Sequence, residues 1–287
     1  MSDIFKKLPA AGISSPQVKL ANRLAAAKKL PEEYANDKDA DRLFICEGDW
    51  AAEMLLKNNI RIRMFLVCPE RKEACENEKV LASVIEASRE SYVISEKTCG
   101  RISDRDGADY CFIIAVMPEI KLDDIVLKEN MTGVVLDGQE QPGNIGAILR
   151  SVDACGGDFA IYVNRRCRIT HPRLIRSSLG AAFTVPFAET SNEELCRWLE
   201  KNNFKAVVTD LTATKSYIDE DYSGRIAVVC GNEYNGISPE WREKPYSSTV
   251  IIPMLGSVES LNVGFAATLV CYESSLRQKG LIVRRGK

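Results

Sequence analysis

The feature that most constrains this chain is an alternation. Apolar runs of four to eight residues are separated by segments whose apolar residues recur at helical spacing. Between residues 132 and 254, "TGVVLD", "DFAIYV", "FKAVVTD", "RIAVVCG" and "STVIIPM" read as strands. Between the first two, Ile145, Ile148, Leu149 and Val152 mark a helix from Asn144 that ends at Gly156–Gly157. "HPRLIRSSLGAA" reads as a helix, "SNEELCRWLEKNN" opens with a capping-box pattern from Ser191 to Glu194, and a closing helix runs from about Ser260 to Lys279. Strand–helix alternation of this kind builds a mostly parallel sheet covered on both faces.

The same grammar runs through the first half. "DRLFICEG", "IRMFLVCPE" and "YCFIIAVMPE" read as strands, "DWAAEMLLKNN" and "EKVLASVIEASRE" as helices, and "SEKTCGRISDRDGAD" as a polar loop with a helix start. A polar connector near residues 118 to 131 separates the halves, so the expected domains are 1–125 and 126–287, ordinary for 287 residues.

Composition excludes several classes. The ten cysteines form no CxxC pair and have one histidine beside them, so no metal site is expected and reduced thiols in the cytoplasm are the simpler reading. The beginning, "MSDIFKKLPAAG", lacks the apolar core of a secretory signal, and no apolar run reaches membrane-spanning length. A net charge of −2 does not advertise nucleic-acid binding, so such a role must rest on local patches. One is "NRRCRITHPRLIRSS", with Arg165, Arg166, Arg168, Arg173 and Arg176 and no acid among them. Arginines at this density suit phosphate oxygens; a solvated loop and helix face accounts for them equally well. The first thirty residues hold six Lys/Arg against Asp3 alone, which reads as a basic surface helix.

In open parallel sheets, ligands bind beyond the carboxyl ends of strands. Three strand ends carry unusual loops: "LDGQEQPGNIGAILR", "VCGNEYNGIS" and "IPMLGSVESLN". Taken singly, Asn144 and Asn262 are explained as helix caps, Glu233 as a loop tie and Arg150 as an exposed helical arginine. Their joint occurrence at three strand ends shifts the balance. There is no GxGxxG, no P-loop and no GxSxG elbow, so dehydrogenase and hydrolase readings are weak.

"PGNIGAILRSVDACG", "VCGNEYNGIS" and "IPMLGSVESLNVGFA" resemble, in order and spacing, the three motifs of the SpoU (TrmH-type) RNA ribose 2′-O-methyltransferases of the SPOUT class. The resemblance covers roughly residues 132 to 275 and includes "SSLGAAFTVP". "QVKLANRLAAAKK" and "DRLFICEGDWAAEMLL" more loosely resemble the ribosomal-protein-like RNA-binding domain that many members carry. Gly264 stands where serine is common in the family, and "PEEYANDKDA" is extra length.

The resemblance implies an α/β trefoil-knot C-terminal domain, an exception to unknotted topology, behind a smaller N-terminal α/β RNA-binding domain. It implies S-adenosylmethionine as cofactor, with backbone contacts from Gly231, Ile252 and Leu261 and with Met254 and Gly256 nearby. It implies a homodimer with the site completed near the subunit interface. It assigns Arg150 to the 2′-hydroxyl, with Asn144, Glu233 and Asn262 arranging the site. Because a guanidinium stays protonated, phosphate anchoring and alkoxide stabilisation suit Arg150 better than proton abstraction. The expected substrate is RNA laid along the arginine cluster and the N-terminal domain, large-subunit rRNA before tRNA. A non-catalytic RNA-binding assembly factor is the alternative.

Overall fold

The structure, a computed structural model, describes residues 3–103 and 109–282. The chain divides into two compact units, Met1–Pro118 with Ile169–Arg176, and Glu119–Arg168 with Ser177–Lys287.

The first unit contains α1 (Asp3–Lys6), α2 (Pro16–Ala25), β1 (Leu43–Glu47), α3 (Gly48–Lys57), β2 (Ile62–Val67), α4 (Lys72–Glu76), α5 (Glu78–Ala87), β3 (Ser88–Val93), α6 (Glu96–Ile102) and β4 (Cys111–Val116). Its four-stranded sheet has the order β1-β4-β2-β3. β4 is antiparallel to both its neighbours, and β2 and β3 are parallel. β4 is buried at every position, whereas β3, at the edge, has no fully buried residue. That half-exposed edge explains why β3 escapes the sequence pattern, where "SRE" reads as the end of the preceding helix. Part of the polar stretch expected to open a helix forms α6; its residues 104–108 lie outside the described residues.

In the second unit, β5 (Met131–Asp137) leads into α7 (Pro142–Cys155) and β6 (Phe159–Val163). The chain then runs through α8 (Pro172–Ser178), which up to Arg176 groups with the first unit, and continues with α9 (Ala181–Thr184), β7 (Phe187–Glu189), α10 (Asn192–Lys201), β8 (Phe204–Thr209), β9 (Arg225–Cys230), α11 (Glu240–Glu243), β10 (Ser247–Val250) and α12 (Val263–Gln278). The six strands are all parallel in the order β10-β8-β9-β5-β6-β7. Every residue of β5 and β6 is buried, as a parallel strand covered on both faces requires. Phe159, Trp198 and Phe204 form the aromatic centre of the core, with ring centroids 4.9–6.0 Å apart.

Several local expectations shift by a few residues. α7 begins at Pro142, a favoured first position, with Gln141 as its N-cap, so Asn144 is inside the first turn and free of capping duty. Its C-cap is Gly156 in the left-handed conformation, as expected. The helix expected over "HPRLIRSSLGAA" breaks into α8 and α9, because Leu179 and Gly180 both take positive φ. Ser191 caps α10 by accepting from the Glu194 amide. α12 starts at Val263 rather than Ser260, leaving 251–262 as an irregular connection.

The connection between β8 and β9 is anchored by Glu220, whose side chain is 2% exposed. Its Oε2 accepts from Lys215 Nζ at 2.9 Å and Ser248 Oγ at 2.5 Å, and its Oε1 from Lys205 Nζ at 3.3 Å and the Asp221 amide at 2.8 Å. Burial pushes the Glu220 carboxyl up, but these donors outweigh it and hold it below its ordinary value of 4.5. A depressed folded-state value adds stability that is present above the ordinary value and is lost as pH falls through the folded value. Glu220→Gln is therefore expected to cost about 1.5–3 kcal/mol at neutral pH. The gap from the parent should close in melts run below pH 4.5; a gap independent of pH would contradict the charged contacts.

Candidate functional site

The carboxyl ends of β8, β9 and β10 open into a cleft of about 480 Å³. Its floor comes from Thr209, Asp210 and Leu211 after β8 and from residues 231–237 after β9. Ile252 and Met254 after β10, and Leu261, Asn262 and Ala266 at the start of α12, close it. A chain of polar contacts joins the three loops at this cleft. Asn144 Nδ2 donates to Glu233 Oε1 at 2.7 Å, and Asn262 Nδ2 donates to Asn144 Oδ1 at 3.2 Å. Asn262 Oδ1 meanwhile accepts from the Gly264 amide at 2.9 Å, so the residue caps α12 and reaches α7 at once. The second carboxylate oxygen of Glu233 is buried with no hydrogen-bond partner. A desolvated acceptor left open is costly unless a ligand's donor completes it.

The β9 loop is held tightly. Asn232 and Gly236 exchange backbone hydrogen bonds at 2.8 and 2.9 Å, and Gly236 has φ 68°. Asn232 Oδ1 accepts the amides of Tyr234 and Asn235, and its Nδ2 donates to the Gly138 carbonyl at 2.8 Å. The buried Gln139 donates to the Gly231 carbonyl. A Cβ on Gly231 would lie 2.3 Å from the Gly236 backbone carbon, so only glycine fits where the turn folds back on the strand end.

Asn144, Glu233 and Asn262 thus come together, and Gly231, Ile252, Met254 and Leu261 line the same cleft. Gly256 is exposed and outside the lining. Arg150 is exposed on α7 and does not line the cleft, and its side chain has no hydrogen bond or ion pair among the described residues. The arginine cluster divides. Arg165 and Arg166 line a second groove of about 620 Å³ with Gly138, Asn164 and Asn235, and this groove shares Asn232, Gly236 and Ile237 with the cleft. Arg165 is also paired with Glu189 at 3.0 Å. Arg168 is half-buried in the same unit. Arg173 and Arg176 group with the other unit, where Arg176 lies 3.6 Å from Glu47. Acids distant in sequence therefore reach a run that reads as purely basic.

Three contributors were not singled out by sequence: Asn232, Gln139 and the ion pair of Asp210 with Arg242, 2.7 Å long, on the cleft wall. Asn232 lies inside a quoted loop, but its role follows from contacts 94 residues away. Burial raises the Asp210 carboxyl, yet Arg242 and Thr212 donate to it and hold it below the ordinary range.

The SpoU rRNA Methylase family model matches residues 131–272. The 23S rRNA (uridine(2479)-2′-O)-methyltransferase of Streptomyces viridochromogenes is 35% identical over 175 residues, which are 58% of this chain and 60% of that protein. This chain therefore matches somewhat under two thirds of that relative's length. An AdoMet-bound rRNA methyltransferase from Sinorhizobium meliloti superposes with a TM-score of 0.81 at 25% identity, covering 96% of this chain and 99% of that one. The SpoU methyltransferase AviRb from Streptomyces viridochromogenes, solved with AdoMet, gives 0.80 at 26% identity, with 92% and 98% covered. Through residues 131–272, this chain belongs to the SpoU rRNA Methylase family.

Proposed function

We propose that the protein transfers a methyl group from S-adenosylmethionine to a ribose 2′-hydroxyl of large-subunit rRNA. The observation that carries this reading is the Glu233–Asn144–Asn262 chain at the edge of the cleft, with one Glu233 oxygen left open. The cleft volume suits a nucleoside-sized ligand, and a lining of backbone turns and apolar side chains suits an adenosine moiety. Gly231, Ile252 and Leu261 would hold it, with Met254 beside them, and the connection 251–262 would be the threaded segment of a trefoil knot. Gly256, outside the lining, would shape that connection. The relatives named as 23S rRNA methyltransferases favour rRNA over tRNA, and such a substrate implies the cytoplasm.

The cofactor supplies an activated methyl group, and its sulfonium charge is lost as the bond forms. A nearly neutral wall therefore favours transfer more than a strongly anionic one. Glu233 Oε1 is occupied by the hydrogen bond from the Asn144 amide, which leaves Oε2 as acceptor for the proton that the ribose hydroxyl loses. Asn262 fixes Asn144 and so the angle at which Glu233 meets that hydroxyl. Arg150 would anchor the neighbouring phosphate and stabilise the developing alkoxide.

Arg150 stands outside the cleft of its own chain, so this role calls for a homodimer. α12 exposes Phe265 (67%) and Leu269, continuing from Leu261 at four-residue spacing, and Leu255 is 98% exposed. α7, packed on α12 through the Ser151–Thr268 hydroxyl pair, exposes Ala147 and Arg150. A contiguous apolar face bordering the cleft suits a two-fold contact. Phe265→Asp is expected to yield monomers in sedimentation velocity; an unchanged oligomer would move the contact elsewhere.

RNA would enter over the groove of Arg165 and Arg166, with Arg168 a further phosphate contact in the same unit; Arg173 and Arg176 would serve as phosphate contacts of the other unit. Arg165→Glu with Arg166→Glu should weaken rRNA binding and reduce the slope of log affinity against log salt by about two. An unchanged slope tells against this groove. The cofactor reading itself is tested by calorimetry: saturable binding of S-adenosylmethionine, weakened by Ile252→Asp, is expected. Protein that binds none contradicts it.

A further inference from the structure

We propose that Arg242 binds the carboxylate of an amino-acid tail in the cleft, and that Asp210 is the positioning residue that aims it. This rests on the cofactor reading above and extends it to an end of the ligand that no motif residue addresses. Arg242, on α11, is the sole Lys or Arg among the described residues lining the cleft. Its Nε donates to Asp210 Oδ2 at 2.7 Å. The other Asp210 oxygen accepts from the Thr212 amide and hydroxyl, each at 2.9 Å. The Asp210 side chain is 5% exposed, so this carboxylate is buried and fully occupied. Arg242 remains 45% exposed, and its two terminal nitrogens have no hydrogen-bond partner among the described residues.

Holding a guanidinium by Nε fixes its plane and leaves the two terminal nitrogens as a forked donor. A fork of this shape matches a carboxylate, which accepts both hydrogen bonds in one plane. The rest of the lining would oppose such an anion: it is apolar apart from backbone, amides, hydroxyls and the acids Asp210 and Glu233. S-adenosylmethionine bound by its nucleoside against Gly231 and Leu261 still has an α-amino-acid tail to place. Arg242 is the one lining group that can neutralise its carboxylate. An ion pair that served only to tie the β8 loop to α11 would be indifferent to that tail.

The test compares two ligands, S-adenosylmethionine and 5′-methylthioadenosine, which keeps the thioether nucleoside but lacks the amino acid. Calorimetry on the full chain, its Arg242→Ala variant and its Arg242→Lys variant reads both affinities. Arg242→Ala is expected to weaken S-adenosylmethionine at least about tenfold while 5′-methylthioadenosine stays within about twofold. Arg242→Lys, keeping charge without the fork, should fall between. Retained nucleoside binding also shows that the cleft is folded in the variant. Equal losses for both ligands, or none, overturn the assignment and leave Arg242 as a structural tie. Unchanged S-adenosylmethionine affinity with weakened rRNA binding also overturns it, making the arginine a phosphate contact. Parent protein that binds neither nucleoside overturns the cofactor reading, and this inference with it. Parent protein that binds both equally overturns only the tail contact.

Discussion

Arg150→Ala is expected to slow methyl transfer by roughly two to four orders of magnitude while S-adenosylmethionine affinity stays within a few-fold. That corresponds to about 3–5 kcal/mol of transition-state stabilisation, in the range of a preorganised charge facing a developing oxyanion. The separation of effects follows from position, since Arg150 lies outside the cleft lining and its removal leaves the cofactor's walls intact. The same position distinguishes action within one chain from action across a dimer. Arg150→Ala and Asn262→Ala are each expected to be nearly inactive alone. Mixed and allowed to exchange subunits, they should recover roughly a quarter of parental activity, since half the dimers are mixed and each has one intact site. No recovery from verified mixed dimers would mean that Arg150 works beside its own cleft, through a rearrangement of α7. Turnover like the parent's in Arg150→Ala would remove the residue from the chemistry altogether.

Gly231→Ala is expected to have the second large effect, for a different reason. The added methyl would sit 2.3 Å from the Gly236 carbon and 2.4 Å from its oxygen, both backbone atoms inside the Asn232–Gly236 turn. No side-chain rotation relieves a backbone collision, so the turn must move away from β9. Such overpacking costs about 1–3 kcal/mol of stability. The displaced turn carries Glu233 and the wall that the cleft shares with the groove of Arg165 and Arg166. Cofactor affinity should fall at least about tenfold in calorimetry, with a lowered melting temperature. Parental affinity in this variant would show that the β9 loop is not part of the cofactor wall.

β5, β6, β8 and β9 were legible because burial on both faces writes long apolar runs, whereas β7, only Phe187–Glu189, is too short to write one and was not read as a strand. β3 was not, because Ser88–Val93 lies half-exposed at a sheet edge and its polar residues continue a helical pattern. The division of the α8–α9 segment depends on Leu179, an apolar residue at φ 45° that composition gives no reason to expect there. At the site, Asn262 was readable as a cap because capping is local. Its second bond spans 118 residues, and the bond of Asn144 to Glu233 spans 89. Only the motifs' joint resemblance to a family hinted at those contacts. Arg242 lies in "EWREKP", where nothing marks one arginine as functional, and its partner Asp210, just after β8, is 32 residues away. Arg150 reads as a site residue from its motif, yet the fold of one chain leaves it outside the cleft, and the dimer proposed above is what would bring it to a cleft.

The most direct test of the proposed activity is transfer of labelled methyl from S-adenosylmethionine to unmodified 23S rRNA and to tRNA, offered separately. The predicted result is label on 23S rRNA alone, at a single ribose whose 3′ linkage resists alkaline cleavage. Label on tRNA alone, or none on any RNA from protein that binds S-adenosylmethionine and is given intact ribosomal particles as well, would contradict it.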